Sequence, residues 1–419
     1  MKTKICTTLI LELVSLSTFV FSAAPPELWG FFAHKKINRL AVFTLPVEMA
    51  GFYKKHLDFI EEHAVDPDKR RYSSKFEAPR HYIDLDAYGE APFSELPRNW
   101  LDALIKYSEI FAVNRQSDTL LLFDPHLTIQ TRSEMLFTGG QMNEILCRDT
   151  LFSDKKLFKD FFYRNIINRL YEEDLIAIPI DSLKNVCTLS ADITSVIAKE
   201  HLTQHGIVPY HLSHMEKRLT EAFRDKNSKR ILQLSAEIGH YLGDAHVPLH
   251  TTRNYNGQLS GQRGIHAFWE SRIPELLSED YDYWVGSAEF IPNTSETFWQ
   301  IVFDSHKLVD SLLQIEKKLS LSYPSDQIFC LEERQGTTIK TQCESYVRAY
   351  SARLNGQVED RMRAAILSIG SIWFTAWVNA GQPDLNQLDQ EEKELNSPLD
   401  KLPDAESKAA QSMIGRPEN

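Results

Sequence analysis

The chain has 419 residues, of which 42% are hydrophobic and 25% charged, and its 46 Lys and Arg against 58 Asp and Glu give a formal net charge of −12. This composition excludes a disordered polymer, a collagen-like chain and a disulfide-only miniprotein, and it leaves enough apolar residues for a sizeable core. The acidic balance argues against nonspecific DNA binding through a basic face. It does not exclude a site in which bound cations attract phosphate locally.

The first 22 residues have the pattern of an export signal. Lys2 and Lys4 form a basic start, residues 5–21 are apolar apart from Glu12, and small residues at 22–24 offer a cleavage site. A buried N-terminal helix is the alternative. No other run reaches the roughly 20 apolar residues that span a bilayer. We therefore expect an exported protein, secreted or periplasmic, with no transmembrane segment in the mature chain.

Most of the long segments that follow have helical periodicity. Apolar residues recur at three-to-four spacing in segments 31–45, 47–62, 100–111, 157–171, 215–223, 229–242, 297–321 and 344–378. Strand-like alternation is limited to 119–123 and 176–180. The polar segment 384–419 has few large apolar residues and predicts a disordered tail. We predict an all-α or nearly all-α fold.

Four cysteines follow the predicted signal, and an even number in an exported chain suits disulfides. Cys330 and Cys343 flank the short polar segment 331–342. We predict that these two pair, and by elimination that Cys147 pairs with Cys187. Four free thiols are the alternative.

The densest group of potential metal ligands lies in the segment GHYLGDAHVPLH, residues 239–250. His240 and Asp244 are four residues apart, so on a helix they share one face. Pro248 marks the helix end, and the chain then presents His250 nearby. Imidazoles and a carboxylate that converge in this way suit zinc. For an isolated pair of this spacing, the alternative is an ordinary surface pair.

Three further segments add candidates. His266 and Glu270, in GIHAFWE, repeat the spacing of four, which makes a multinuclear site plausible because carboxylates bridge two cations and neutral imidazoles do not. His81 lies in RHYIDLD, which follows a turn-like acidic segment, DPDKRR, at 66–71. The segment WGFFAH, residues 29–34, contributes Trp29 and His34.

These segments form five motifs in one order along residues 29–270: WGxxxH, DxxR, HYID, HxxxDxxxPxH and HxxWE. In this order they resemble the superfamily that joins zinc-dependent phospholipases C with fungal and plant single-strand-specific nucleases. The resemblance implies one multi-helix domain over 29–383 with a trinuclear zinc cleft. Segment 114–199 has no recognised motif and is interpreted as an insertion, either a lid or partner surface or a passive decoration.

The resemblance also implies a ligand set. The first zinc would take Asp68, His81, His240 and Asp244; the second His250, His266 and Glu270; the third His34, the shared Asp244, and the main-chain amine and carbonyl of Trp29. Asp66 is the alternative to Asp68, which is preferred because Arg71 then falls three residues later. In the superfamily the tryptophan is the mature N-terminus, whereas here the expected cleavage leaves Trp29 internal. Occupancy of the third site therefore stays open, with two or three zinc ions in total.

The resemblance assigns chemical roles as well. Asp68 would orient or deprotonate the attacking water, and Arg71 would stabilise the negative charge that develops on phosphorus oxygens. Tyr82 either stacks on a base or packs in the core. His246 is a weaker candidate, either supporting the ligands or lying on the surface. We interpret His201, His205, His211 and His214 as structural, and Asp84 and Asp86 as residues that orient His81.

The expected activity is hydrolysis of a phosphate ester with metal-activated water, and the substrate would be a phospholipid or a nucleic-acid phosphodiester. Glu270 resembles the phospholipases C, whereas Arg71 and the spacing from Trp29 to His34 resemble the nucleases. The interpretation leans towards a phospholipase C-like enzyme. The alternatives are a single-strand nuclease or 3′-nucleotidase of the same fold, and a non-catalytic binding protein with a retained metal site. No stable nucleic-acid complex is expected.

Overall fold

A computed structural model describes residues 31–123, 146–147, 155–167, 175–183, 187–189, 191–334 and 336–391. The predicted export signal, Trp29 and the tail beyond residue 391 lie outside these ranges. Among the described residues, none of the helices combines the length and apolar character needed to cross a membrane.

Helices form most of the described structure, as the periodicity predicts. In chain order they are α1 Phe31–Ala41, α2 Val47–Lys55, α3 Leu57–Glu62, α4 Asp66–Arg70, α5 Trp100–Lys106, α6 Lys155–Asn165, α7 Val208–Arg224, α8 Ser228–His246, α9 Ile265–Ala267, α10 Ile273–Leu277, α11 Thr294–His306, α12 Val309–Ser322, α13 Glu344–Leu354, α14 Gln357–Asn379 and α15 Leu385–Glu391. A π-helical turn, Phe268–Arg272, joins α9 to α10.

The core is a bundle in which α8 and α14 contact each other and both contact α1 and α7. Helix α8 is its most buried member, with every side chain from Leu234 to His246 buried. Glycine lets α1 approach α8 closely: a Cβ on Gly239 would lie 2.0 Å from Asn38 Oδ1, and one on Gly243 would lie 2.9 Å from His34 Nδ1. The small residues of α8 therefore bring His34 against the helix that carries the densest motif.

Several predicted long helices are interrupted. The segment 47–62 divides at His56 into α2 and α3, and 297–321 divides between α11 and α12. The segment 344–378 divides where Asn355 and Gly356 both adopt left-handed conformations, with φ of 51° and 80°. Apolar spacing continues across such breaks, so periodicity alone does not reveal them.

A small sheet corrects the all-α expectation to a mostly helical fold. The strands among the described residues, which form three sheets, are β1 Ser108–Asn114, β2 Thr119–Phe123, β3 Leu146–Cys147, β4 Ile176–Ile178, β5 Cys187–Thr188, β6 Ile193–Glu200, β7 Phe329–Arg334 and β8 Thr337–Gln342. The order of the largest sheet is β2-β1-β6-β4, and its pairs are antiparallel. The strand predicted at 119–123 is present, and the one predicted over 176–180 ends at Ile178. The helix predicted over 100–111 ends at Lys106.

The sheet frames the predicted insertion. Strands β1 and β6 pair from Ser108 opposite Glu200 to Asn114 opposite Ile193. The chain therefore leaves the helical body and returns to it through neighbouring strands, which is how an inserted segment can join a fold without displacing its core. Its role as a lid or a decoration stays a prediction.

The predicted disulfide Cys330–Cys343 is present, with 5.0 Å between the Cα atoms. It closes the antiparallel hairpin of β7 and β8, which the sequence reading missed. Strands β3 and β5 place Cys147 directly opposite Cys187. Opposed residues in antiparallel strands have Cα separations that suit a disulfide, so this backbone register supports the second pairing, which stays a prediction.

The tail begins with ordered structure. Helix α15 packs on α2, and its Leu385 and Leu388 are buried. The prediction of disorder from residue 384 is therefore wrong for 385–391, because two leucines at helical spacing are enough to dock one turn.

Candidate metal centre

Helix α8 supplies the first two potential ligands of the candidate centre. His240 and Asp244 lie on one face as predicted, with 3.3 Å between His240 Nε2 and Asp244 Oδ2, and both are buried. The helix ends before Pro248, and a 3₁₀ turn, Pro248–Thr251, returns His250 to the same side. The Asp244 Oδ1 atom lies 3.7 Å from His250 Nε2.

The first group of potential ligands contains Asp68, His81 and His240. Nδ1 of His81 lies 3.1 Å from Nε2 of His240 and 2.9 Å from Oδ2 of Asp244. Oδ1 of Asp68 lies 3.7 Å from His240 Nε2 and 3.8 Å from His81 Nδ1. Four side chains thus converge from α4, α8 and the segment that contains His81.

The second group contains His250, His266 and Glu270. Nε2 of His266 lies 3.1 Å from Nε2 of His250 and 2.7 Å from Oε2 of Glu270, and that oxygen lies 3.3 Å from His250 Nε2. Glu270 lies in the π-helical turn, a form that is frequent at functional sites. The neighbouring Phe268 and Trp269 are buried and anchor this turn in the core.

The third group centres on His34, which faces both carboxylates. Its Nε2 lies 3.3 Å from Asp244 Oδ1 and 3.4 Å from Glu270 Oε1. His34, His240 and Asp244 form a potential metal-binding group by themselves. The two oxygens of Asp244 thus face different groups, and so do those of Glu270. Trp29, the remaining predicted ligand, lies outside the described residues.

The donor set fits metal ions of the zinc type. Within each group the donor atoms lie within 4.8 Å of one another, and all the residues are buried. Buried carboxylates are costly unless a cation or strong hydrogen bonds compensate their charge. Mixed imidazole and carboxylate ligands suit zinc among the common metals.

Main-chain carbonyls behind two of the histidines hold their imidazole rings in defined orientations. His240 donates from Nδ1 to the Ala64 carbonyl at 2.8 Å, and His250 donates from Nδ1 to the His81 carbonyl at 2.7 Å. Both rings therefore present Nε2 to the centre. Glu77, which sequence reasoning missed, faces the outer nitrogen of His81 with 3.7 Å between Oε1 and Nε2. Glu77 precedes His81 by four residues, but that spacing has no clear signal outside a regular helix.

The charges of the centre shift several pKa values. Burial alone would lower the pKa of His34, but hydrogen bonds to Asp244 and Glu270 raise it well above the ordinary value. His81 behaves similarly: burial opposes the charge, but Asp244 and Glu77 raise its pKa. Burial disfavours ionisation of Asp244 and Glu270, yet their histidine neighbours hold both pKa values well below the usual range.

These shifts predict that zinc binding releases protons. The pKa values of His34 and His81 lie above the ordinary 6.5 in the metal-free protein, so at a pH below those raised values each carries a proton that a metal ion must displace. Asp244 and Glu270 are already ionised and release none. We expect the apparent zinc affinity to fall as pH decreases through the raised histidine pKa values. Calorimetric titration in two buffers of different protonation enthalpy measures the released protons; a heat of binding that is independent of buffer would contradict the expectation.

The two aspartates of the acidic segment 66–71, Asp66 and Asp68, have different surroundings. Asp68 lies beside the ligands, and Arg71 NH1 lies 3.5 Å from its Oδ1 with the guanidinium buried. Asp66 instead pairs with His63 at 2.5 Å and with Lys69 at 3.0 Å. The geometry thus favours Asp68 over Asp66 as the ligand, and it brings Arg71 to the edge of the centre.

Other candidates lie outside the centre. Tyr82 is buried, and its hydroxyl donates to the Gln204 carbonyl at 3.4 Å, so packing is favoured over base stacking. His246 is buried with Nε2 3.1 Å from Ser368 Oγ, on the α14 side of α8, so it is not a surface residue. Asp86 accepts hydrogen bonds from Thr252 and from the backbone of Arg253 and is not placed to orient His81.

The four histidines interpreted as structural lie outside the three groups of ligands. His201 Nε2 lies 2.8 Å from Glu109 Oε2, and His205 Nδ1 lies 3.8 Å from Asp84 Oδ2. Burial lowers the pKa values of His211 and His214, which favours their neutral forms. These contacts agree with a structural role.

A largely apolar pocket adjoins the third group. It has a cavity volume of about 30 Å³, and His34 and Glu270 form part of its wall. Apolar side chains, among them Trp269, Val358 and Met362, line most of the remainder, together with His246 and Arg361. A ligand that entered this pocket would bring an apolar group beside the metal-binding residues.

Comparison with known proteins adds no relative. The chain matches no protein-family model, no curated protein and no solved structure.

Proposed function

We propose that the protein is a zinc-dependent hydrolase of phosphate esters, of the phospholipase C-like type. One observation carries the proposal: three buried groups of ligands are joined through the carboxylates of Asp244 and Glu270. Clustered divalent ions are a common solution for phosphate ester hydrolysis, because they compensate charge on both the attacking and the leaving oxygen.

The residues around the centre support this chemistry. Bound zinc would act as a Lewis acid and lower the pKa of water from 15.7 to about 7. Asp68 would orient the attacking water through its carboxylate and accept its proton. The buried guanidinium of Arg71, beside Asp68, would place positive charge next to the phosphoryl oxygens.

The wall of the pocket supports a lipid-like substrate. Apolar side chains adjoin His34 and Glu270 and would contact an apolar substituent of the ester beside the centre. The burial of Tyr82 removes one candidate surface on which a base would stack. The net charge of −12 argues weakly against long polyanions.

A single-strand nuclease or 3′-nucleotidase is the second candidate. The contact between Arg71 and Asp68 at 3.5 Å favours it, because their spacing is the nuclease-like feature of the sequence. A non-catalytic binding protein that retains the metal site is the alternative of another class. The Cys330–Cys343 disulfide supports export for any of these functions.

A parallel assay of the zinc-loaded chain distinguishes the candidates. The substrates are phosphatidylcholine vesicles, single-stranded DNA and RNA, and 3′-nucleotides, with zinc content measured on the same sample. We expect two or three zinc ions per chain and release of a phosphorylated headgroup from the vesicles. Cleavage confined to nucleic acid or nucleotides would replace the first candidate by the second. Bound zinc without any hydrolysis would favour the binding protein, and a His240→Ala variant with full zinc content and activity would exclude the proposed centre.

A further inference from the structure

Behind the first group of ligands lies a buried charge network centred on Glu77. Its carboxylate is 2% exposed and accepts hydrogen bonds from Arg80 NH1 at 2.8 Å and Arg70 Nε at 3.3 Å. The hydroxyl of Tyr241 also donates to it. Arg70 bonds to Glu237 at 2.9 Å and to the Tyr241 hydroxyl at 3.1 Å. These donors fix Glu77 from several sides.

The fixed carboxylate lies on the outer side of His81. His81 presents Nδ1 to Asp244 and His240, whereas His34, His240, His250 and His266 present Nε2 to the centre. A neutral imidazole that binds a metal through Nδ1 must carry its proton on Nε2. The Nε2 atom of His81 faces Glu77 Oε1 at 3.7 Å, so a small rotation of the ring would complete a hydrogen bond.

We propose that Glu77 is a positioning residue of the metal centre: it accepts a hydrogen bond from the Nε2–H of His81 and so directs Nδ1 of that imidazole to the first metal ion. The other oriented rings, His240 and His250, donate to backbone carbonyls. Glu77 gives His81 a charged acceptor instead, which increases the basicity of the ligand nitrogen. The arginines and Tyr241 hold that acceptor in place.

The test compares Glu77→Gln with Glu237→Gln. Both substitutions remove one carboxylate that bonds to Arg70, but only Glu77 faces His81. Zinc affinity is measured by competition with a chromophoric chelator, and cobalt-loaded protein is examined by visible absorption, which reports the ligand geometry. Circular dichroism of the chelated proteins checks that both variants are folded.

We expect Glu77→Gln to weaken binding of one metal ion by about 10- to 100-fold, the range typical for loss of a residue that orients a ligand. Its cobalt spectrum should change, and Glu237→Gln should keep the wild-type affinity and spectrum. Wild-type affinity and spectrum in Glu77→Gln would overturn the inference. Equal losses in both variants would also overturn it, because they would assign the effect to the network as a whole.

The inference about Glu77 rests on the metal-binding part of the proposed function. Different results would contradict the inference and the proposed hydrolytic activity. If the wild-type chain binds no zinc, both are wrong. If it binds zinc and hydrolyses no phosphate ester, the proposed activity fails while the affinity difference between Glu77→Gln and Glu237→Gln still decides the role of Glu77.

Discussion

Replacing Asp244 with asparagine is expected to abolish hydrolysis and to remove more than one metal ion. Oδ2 of Asp244 faces His81 and His240, whereas Oδ1 faces His34 and His250. An amide keeps the shape but has no negative charge and only one oxygen acceptor. A bound metal ion stabilises the charge of the transition state by several kcal/mol, so its loss should lower kcat/KM by about 10³-fold or more. Elemental analysis of the dialysed variant and assay on the best substrate measure both effects.

Glu237→Gln is a matched control for that experiment, because it neutralises a buried carboxylate on the same helix outside the groups of ligands. It should keep its zinc and its activity. If Asp244→Asn retained a full complement of zinc with unchanged kcat/KM, Asp244 would not bridge metal sites. Thermal unfolding of both proteins is measured in the presence of a chelator. If Asp244→Asn loses zinc but unfolds at the same temperature as the chelated wild type, the substitution acts on the metal centre and not on the fold.

The two His/carboxylate pairs could be predicted because helix geometry determines them. His240 with Asp244, and His266 with Glu270, need only a spacing of four residues on one face. Their convergence is a tertiary result of the turn at Pro248–Thr251, which a proline marks in the sequence. Asp68 was preferred to Asp66 on spacing, and its position beside His81 agrees with that choice.

The orienting residues could not be predicted in the same way. Glu77 faces His81 across a single 3₁₀ turn, Ala78–Arg80, which is too short to show a helical repeat in the sequence. The imidazole nitrogen that faces the centre depends on the acceptor behind each ring, such as the Ala64 carbonyl, and sequence does not reveal main-chain acceptors. Only the folded chain shows these contacts.

The missed strands have a similar cause. Strand β1 follows α5 after one residue, and its buried Ser108, Ile110 and Ala112 alternate over too short a stretch to separate period two from period 3.6. The strands of the disulfide-bonded hairpin are mostly exposed, so they have little apolar pattern to detect. Strand β1 also pairs with β6, which lies far away along the chain, and a local apolar pattern does not reveal such a partner.

Asp68→Asn and Asp66→Asn form a second comparison with a large expected difference. The two carboxylates are two residues apart in α4 and are both buried, but only Asp68 lies beside His81, His240 and Arg71. We expect Asp68→Asn to lower kcat/KM by about 10²-fold or more, since loss of a proton acceptor commonly costs that much, and to weaken zinc binding at the first group.

Asp66→Asn should instead affect folding stability and leave zinc binding intact. Burial raises the pKa of Asp66, but His63 and Lys69 outweigh it, so the folded-state pKa lies below the ordinary 3.8. Its ionised form therefore stabilises the fold above the unfolded-state pKa, and that contribution disappears as pH falls through the lowered folded-state value. Thermal unfolding of Asp66→Asn should differ from wild type at neutral pH and converge with it in acid. If Asp66→Asn lost zinc while Asp68→Asn retained it, the assignment of the two residues would have to be exchanged.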